Sequence, residues 1–250
     1  MNLEIYKKII AKREFSQLPK KDVELAFSKF EKMHVSDEEK IRATREVLNK
    51  IYWPFRSRKL LTAKNKPVEW VLRKHLSTRE RLGFYKKLYK KLIDKNYAIF
   101  DLGAGINGIS FNYFPKKIKY FGIEAVGQFV ELMNYYFEKN KLNGEAIHLS
   151  LFEFERIKCL IKNQKGNKIV FLFKVLDSLE MLEKNYSKKL LLELVPLVDK
   201  VVVSFPTRSM ISGKKFKVQR NWLVNFLKQN FKITDDFELG SERYFIFKNN

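Results

Sequence analysis

Cysteine is nearly absent from this chain. Cys159 stands alone among 250 residues, which rules out an intramolecular disulfide and any cysteine-rich zinc site. A single cysteine of this kind is expected in the core. Histidine is scarce as well: His34, His75 and His148 lie far apart, without carboxylates at metal-ligand spacing, so no metal is expected. No unbroken apolar run approaches the ~18 residues that a membrane-spanning helix needs, and no lone, strongly apolar helix face carries a basic rim. The opening MNLEIYKKIIAKREF places charges where a signal peptide needs its apolar stretch. The chain therefore reads as soluble and cytoplasmic, with no membrane partner. Acidic residues are also in short supply. Fifty Lys and Arg face 28 Asp and Glu, a formal charge of +22, and such an excess repels itself on folding and calls for a polyanionic partner, nucleic acid first.

The basic residues concentrate early, with 26 Lys and Arg against 12 Asp and Glu in the first 97 residues. This part is helical in pattern. Ser36 with Glu39, and Ser77 with Glu80, fit the capping box in which hydroxyl and carboxylate each satisfy a free backbone N–H. After Ser77, the residues Leu82, Tyr85, Leu88, Tyr89, Leu92 and Ile93 recur at helical spacing, with Lys86, Lys87, Lys90 and Lys91 opposite. Between these helices, residues 52–67 read as an irregular connection. From Tyr97 the texture changes, and YAIFDLG, KYFGIE, EAIHLSLF, KIVFLFKV and KVVVSF alternate with helical patterns before FKITDDFEL and ERYFIFK close the chain. Alternation predicts a parallel sheet with helices on both faces, and the closing pair predicts an antiparallel hairpin.

The first strand runs into FDLGAGING, residues 100–108. Gly103, Gly105 and Gly108 satisfy G-x-G-x-x-G, and Glu124 ends the next strand about 20 residues on, a spacing that serves dinucleotides and other nucleoside ligands. Asp101 discriminates. A carboxylate at the head of this loop repels pyrophosphate but suits S-adenosylmethionine, which carries an ammonium and a sulfonium. Asp101 is expected near the methionine end, the glycine-loop N–H groups toward the ligand carboxylate, and Glu124 on the ribose hydroxyls. A nicotinamide dinucleotide, or a purely structural Asp101 and Glu124, are the alternatives the residues leave open. Seven strands with an antiparallel closing pair is the layout of class I methyltransferases.

Several segments resemble the Arm/Rmt-type aminoglycoside-resistance methyltransferases of small-subunit ribosomal RNA: HLSTRERL at 75–82, DLGAGING at 101–108, FKVLDSLEMLEK at 173–184 and above all VVVSFPTRSMISGKK at 201–215, then the terminal ERYFIFK. The resemblance implies an α/β chain with a class I methyltransferase, Rossmann-like seven-stranded sheet and an N-terminal helical extension. Residues 1–96 would form a basic helical part docking on the small ribosomal subunit and its 16S RNA, and residues 97–250 the S-adenosylmethionine-binding domain. It further implies that Arg79 approaches the cofactor carboxylate and that Gly103, Ala104 and Gly105 form the cofactor loop. Glu124 with Ala125 would hold the ribose, and Ser150 with Leu151 would border the adenine. Phe205, Thr207, Arg208, Lys214 and Lys215 would lie against the target nucleotide and its phosphates, with Lys217 and Arg220 beside them. Ala104 stands where the family usually has Cys, Gly108 where it has Pro, and Ser150 where it commonly has an acidic residue.

The resemblance implies 7-methylguanine in the decoding region as the product, and the residues are consistent with it. Guanine N7 carries an available lone pair, so methylation needs no proton removed first, and no histidine pair or carboxylate dyad stands beside the loop. No N-P-P-[YF] segment follows the fourth strand, where methyltransferases of exocyclic amines usually carry one. The remaining readings are a methyltransferase of another RNA, such as transfer RNA, and an RNA-binding assembly factor without catalysis.

Overall fold

Strand runs that are apolar on both faces demand a sheet covered on both sides. In the computed structural model, which describes residues 1–52, 60, 63–207 and 220–250, they form one seven-stranded sheet. Its strands are β1 (Ala98–Leu102), β2 (Lys119–Glu124), β3 (Gly144–His148), β4 (Lys168–Phe173), β5 (Lys200–Pro206), β6 (Lys232–Leu239) and β7 (Glu242–Lys248). Their order is β3-β2-β1-β4-β5-β7-β6. The first five are parallel, and β7 enters antiparallel between β5 and β6. The order reverses between β1 and β4, so a ligand crevice is expected beyond the carboxyl ends of those strands.

Among the described residues six α-helices precede the sheet: α1 (Leu3–Ile10), α2 (Lys20–Ser28), α3 (Asp37–Tyr52), α4 (Val68–Leu72), α5 (Leu76–Arg81) and α6 (Tyr85–Leu92). Five more follow or cross over: α7 (Gly127–Lys139), α8 (Phe154–Lys162), α9 (Leu176–Leu182), α10 (Tyr186–Leu194) and α11 (Asn221–Asn230). Alternate residues of each strand feed two cores. On one face Ile99, Tyr120, Phe171, Phe173 and Tyr244 join Ile5, Val23, Leu48, Tyr85, Leu88 and Tyr89 from the early helices. On the other, Phe100, Ile123, Val170 and Leu172 pack with Ile157 and Ile161 of α8, Leu190 of α10 and Leu227 of α11. The helical part thus shares a continuous core with the sheet. No helix among the described residues is long and apolar enough to cross a membrane.

The local expectations divide. The Ser36–Glu39 capping box forms, with Glu39 N–H donating to Ser36 Oγ and Ser36 N–H to Glu39 Oε2. The Ser77–Glu80 box does not: α5 begins two residues earlier, with His75 rather than Ser77 at its N-cap, and the Glu80 carboxylate is drawn across to the Lys174 ammonium instead. The single long helix expected after Ser77 is interrupted at Leu82–Phe84, where Gly83 costs the helix backbone entropy. Cys159 is exposed on α8 rather than buried, since Ile157 and Ile161 occupy the inward face of that helix. The connection at 52–67 lies largely outside the described residues.

Candidate functional site

A cavity lies at the carboxyl ends of β1, β2 and β4, the position at which an open α/β sheet binds its ligand. Asp101, Gly103, Ala104, Gly105, Asn107, Glu124, Ala125 and Leu151 all line it. The loop after β1 turns sharply because Gly103 and Gly105 hold φ of +73° and +57°, values that other residues adopt at a cost. Space is short as well. A Cβ on Gly103 would fall 2.5 Å from Val175 Cγ2, and one on Gly105 2.8 Å from His75 Nε2. Gly108, third of the motif, packs inward against Phe137, Tyr120 and Met133 and serves the core.

Most of the loop's own N–H groups are spent within the protein, contrary to the expectation that they face an anion. Gly103 and Ala104 donate to the Ile123 carbonyl at 2.9 and 3.1 Å, Asn107 to the Ala104 carbonyl at 2.8 Å, and Gly105 to Glu124 Oε2 at 2.8 Å. A short 3₁₀ helix, Asn107–Tyr113, follows the loop rather than an α-helix. The features by which a Rossmann loop cradles pyrophosphate are therefore missing.

Positive charge comes from side chains instead. Arg81 is 2% exposed and lies on the cavity wall with Lys174. Arg81 Nε donates to Glu242 Oε1 at 2.9 Å, Nη2 to Oε2 at 3.3 Å, and Lys174 Nζ reaches Glu242 Oε1 at 3.0 Å. Burial alone would raise the Glu242 pKa, but Arg81 and Lys174 outweigh it and hold the carboxyl below its ordinary value. Lys174 directly follows β4 with φ of +58°, a strained conformation for a non-glycine residue and one that collects at functional sites. Asn107 links this cluster to the loop, accepting from Tyr85 at 2.8 Å and donating to Asp101 Oδ2 at 2.7 Å. Tyr120 donates to the same Oδ2 at 2.8 Å. Burial raises the Asp101 pKa, against the pull of those two bonds and of Arg81, so a cationic ligand would favour the charged carboxylate. His75, behind Gly105, is driven down to about 3, first by burial and then by Arg81 and Lys174. It is neutral at physiological pH.

Arg79 is not among these residues. It lines a separate surface groove with Glu69, Arg73, Lys86 and Lys87, and Arg81, two positions on, takes the place in the cavity. One helical face carries Ser77, Thr78 and Arg81 inward and turns Arg79 out. Ser150 is fully buried below the cavity, its Oγ accepting from the Phe152 N–H at 3.1 Å. Phe205 is 6% exposed and stacks on Phe245 at 5.7 Å, so its ring fills the core and has no free face for a target base. Arg220 is engaged by Asp177 at 2.9 Å and by the Pro206 carbonyl at 3.0 Å, rather than held out to solvent. Thr207 caps the end of β5, its N–H donating to the Ser241 carbonyl at 2.9 Å. Arg208, Lys214, Lys215 and Lys217 lie outside the described residues. Asp22 and Tyr52, which reach the cavity from α2 and α3, were not foreseen from the sequence. A helical position far from the loop carries no local sign of such a role.

Known proteins resemble this arrangement. The solved structure of the 16S rRNA methyltransferase RmtF in complex with S-adenosyl-L-homocysteine is similar over 100% of both chains, with a TM-score of 0.85 and 18% identity. The 16S rRNA methylase RmtB is similar over 99% of this chain and 98% of its own, at 0.79 and 20%. An rRNA methylase from Escherichia coli is similar over 99% of each, at 0.80 and 20%. At such identities the likeness establishes the fold, that of class I methyltransferases. Among curated proteins no sequence match was found. The family model described as ribosomal RNA methyltransferase (FmrO) matches residues 61–223, well over half of the chain. On that match the chain belongs to the FmrO family of ribosomal RNA methyltransferases.

Proposed function

We propose that the protein transfers a methyl group from S-adenosylmethionine to 16S RNA of the small ribosomal subunit, in the cytoplasm, at N7 of a guanine in the decoding region. The observation that carries the reading is the cavity's charge pattern. Most of its loop amides are spent and its head carries the buried Asp101, so it suits a zwitterionic, sulfonium-bearing nucleoside better than a diphosphate. Asp101 Oδ1, free of the two bonds that fix Oδ2, would face the ligand's positive end. Arg81 and Lys174 would draw its carboxylate, Glu124 would accept from the ribose hydroxyls, and Gly103 and Gly105 leave the cradle open where a Cβ would close it. When bound, the sulfonium supplies an activated methyl group.

The chain's own contribution is then placement. The only histidine lining the cavity, His75, is buried and neutral with its pKa near 3, which suits a target nitrogen that has no proton to lose. Catalysis rests on holding nucleophile, methyl carbon and sulfur nearly in line. Residues 1–96 would bring the RNA to that geometry, and the groove of Arg73, Arg79, Lys86 and Lys87 offers phosphate contacts. Arg79, turned away from the cavity, fits better there.

The test offers purified subunits, naked ribosomal RNA and transfer RNA with labelled methyl donor, then maps the product by reduction and aniline cleavage, which cuts at 7-methylguanine. One cleavage in the decoding region of subunit RNA is expected. Labelled transfer RNA, or label without cleavage, would discard the target, and no label with any RNA would discard the activity.

A further inference from the structure

One buried group on the cavity wall takes no part in the chemistry proposed for the cofactor. Asp22 belongs to α2, in the early helical part, yet it lines the same cavity as Glu124, Leu151 and Phe152 and is only 3% exposed. The Tyr52 hydroxyl donates to its Oδ1 at 2.6 Å. Oδ2 is buried without a hydrogen-bond partner. An orphaned carboxylate oxygen is among the most costly groups a protein can bury, and a cavity wall is where a ligand's donor would relieve it. Burial is the main cause that raises the Asp22 pKa, and Glu153 nearby adds to it, while the Ser150 and Tyr52 hydroxyls act against it. An added N–H donor would act with those hydroxyls.

The position of Asp22 selects the donor. Glu124 ends β2, which lies between β1 and β3 in the sheet, so a nucleoside whose ribose it held, with its other end toward the loop after β1, would set its base beside the end of β3. There the wall is apolar, made by Leu151 and Phe152, and Ser150, whose Oγ accepts from the Phe152 N–H, turns its hydroxyl toward Asp22 rather than toward the cavity lining. Asp22, held by Tyr52, is the carboxylate of the lining that acts on this segment, near Ser150 and Glu153, and it comes from the helical part.

From this placement we infer that Asp22 reads the base, its Oδ2 accepting a hydrogen bond from the 6-amino group of adenine. The inference rests on the proposed cofactor reading of the cavity. A second consequence is that α2, a helix of the part proposed to dock on RNA, also closes the cofactor site.

Calorimetric titration of the whole protein with S-adenosylhomocysteine and with S-inosylhomocysteine tests it. The second compound replaces the amino group by a carbonyl oxygen, which would face Oδ2 with lone pair against lone pair. The unmodified protein should prefer the adenosyl compound by roughly 100-fold or more, as sites built around a buried polar partner do. Asp22→Asn keeps the acceptor for Tyr52 and offers an amide N–H to the carbonyl, so it should reduce the preference at least about tenfold, with an unchanged circular dichroism spectrum. A purely structural role for Asp22 would shift both affinities together and leave their ratio intact. Overturning results are a preference under about threefold in the unmodified protein, which needs no variant, or an Asn variant that binds with the original ratio. Failure of both compounds to bind the unmodified protein would instead remove the cofactor reading itself.

Discussion

At the scale of single residues, His75 shows how tightly the loop and the helical part are fitted. It closes the back of Gly105, where a Cβ would fall 2.8 Å from its ring, and it is held neutral with a pKa near 3 against an ordinary 6.5. Between those values the unfolded chain binds a proton that the folded chain refuses, so stability falls as pH is lowered from about 6.5. At about 1.4 kcal/mol per pH unit, the loss by pH 5 is about 2 kcal/mol. Urea unfolding of the unmodified protein and of His75→Gln at pH 7 and pH 5 measures it, and the raised carboxyls of Asp22 and Asp101 are common to both. Equal losses in the two proteins would contradict the assignment. The sequence made some site residues legible and hid others for a physical reason. Asp101, Gly103, Gly105 and Glu124 are fixed by strand ends and a tight turn, which are local. Arg81 against Arg79 is decided by which face of a short helix meets Glu242, a residue 161 positions away, and Asp22 by the docking of α2. No local pattern encodes either.

At the scale of elements, the strands were readable because burial on both faces writes continuous apolar runs, and the predicted KYFGIE and ERYFIFK coincide with β2 and β7. The cationic face of α6 was readable too: Tyr85, Leu88, Tyr89 and Leu92 are buried. Its lysines nevertheless divide. Lys91 pairs with Asp235 at 2.7 Å and lies over Phe237, whereas Lys86 and Lys87 line the groove that holds Arg73 and Arg79. Reversing both groove lysines, Lys86→Glu with Lys87→Glu, should weaken binding to small-subunit RNA and shallow its log–log salt dependence by about 1.5, close to 0.7–0.9 for each phosphate no longer neutralised. Affinity for S-adenosylhomocysteine should stay within twofold, because neither side chain lines the cavity. Filter binding across a salt series gives the slope. An unchanged slope would move the RNA track elsewhere.

At the scale of the whole molecule, the division near residue 97 is a change of texture and not a seam in the packing. Ile99, Tyr120, Phe171, Phe173 and Tyr244 on one sheet face are covered by residues from α1 to α6 within one hydrophobic cluster. The same helices supply Asp22, Tyr52, His75 and Arg81 to the cavity wall. Composition could mark the boundary because charge and strand-forming residues change there, but composition does not record which surfaces meet. A chain beginning at residue 97 would expose that apolar face and leave Glu242, fully buried in the native fold, without Arg81. Lys174 would remain as a cationic partner of Glu242, so the larger loss is the bared apolar face, at about 1.5–3 kcal/mol for each large side chain returned to water, against a total of about 5–15 kcal/mol for an ordinary domain. The shortened chain should therefore be recovered insoluble or should unfold without a cooperative transition in urea, and should not bind S-adenosylhomocysteine. The full chain should unfold in one transition, with helical and aromatic signals lost together. A shortened chain that unfolds cooperatively and binds the ligand within tenfold of the full chain would show that the helices only dock. The cavity would then be complete in the sheet domain, and the contribution assigned to α2 would be lost with it.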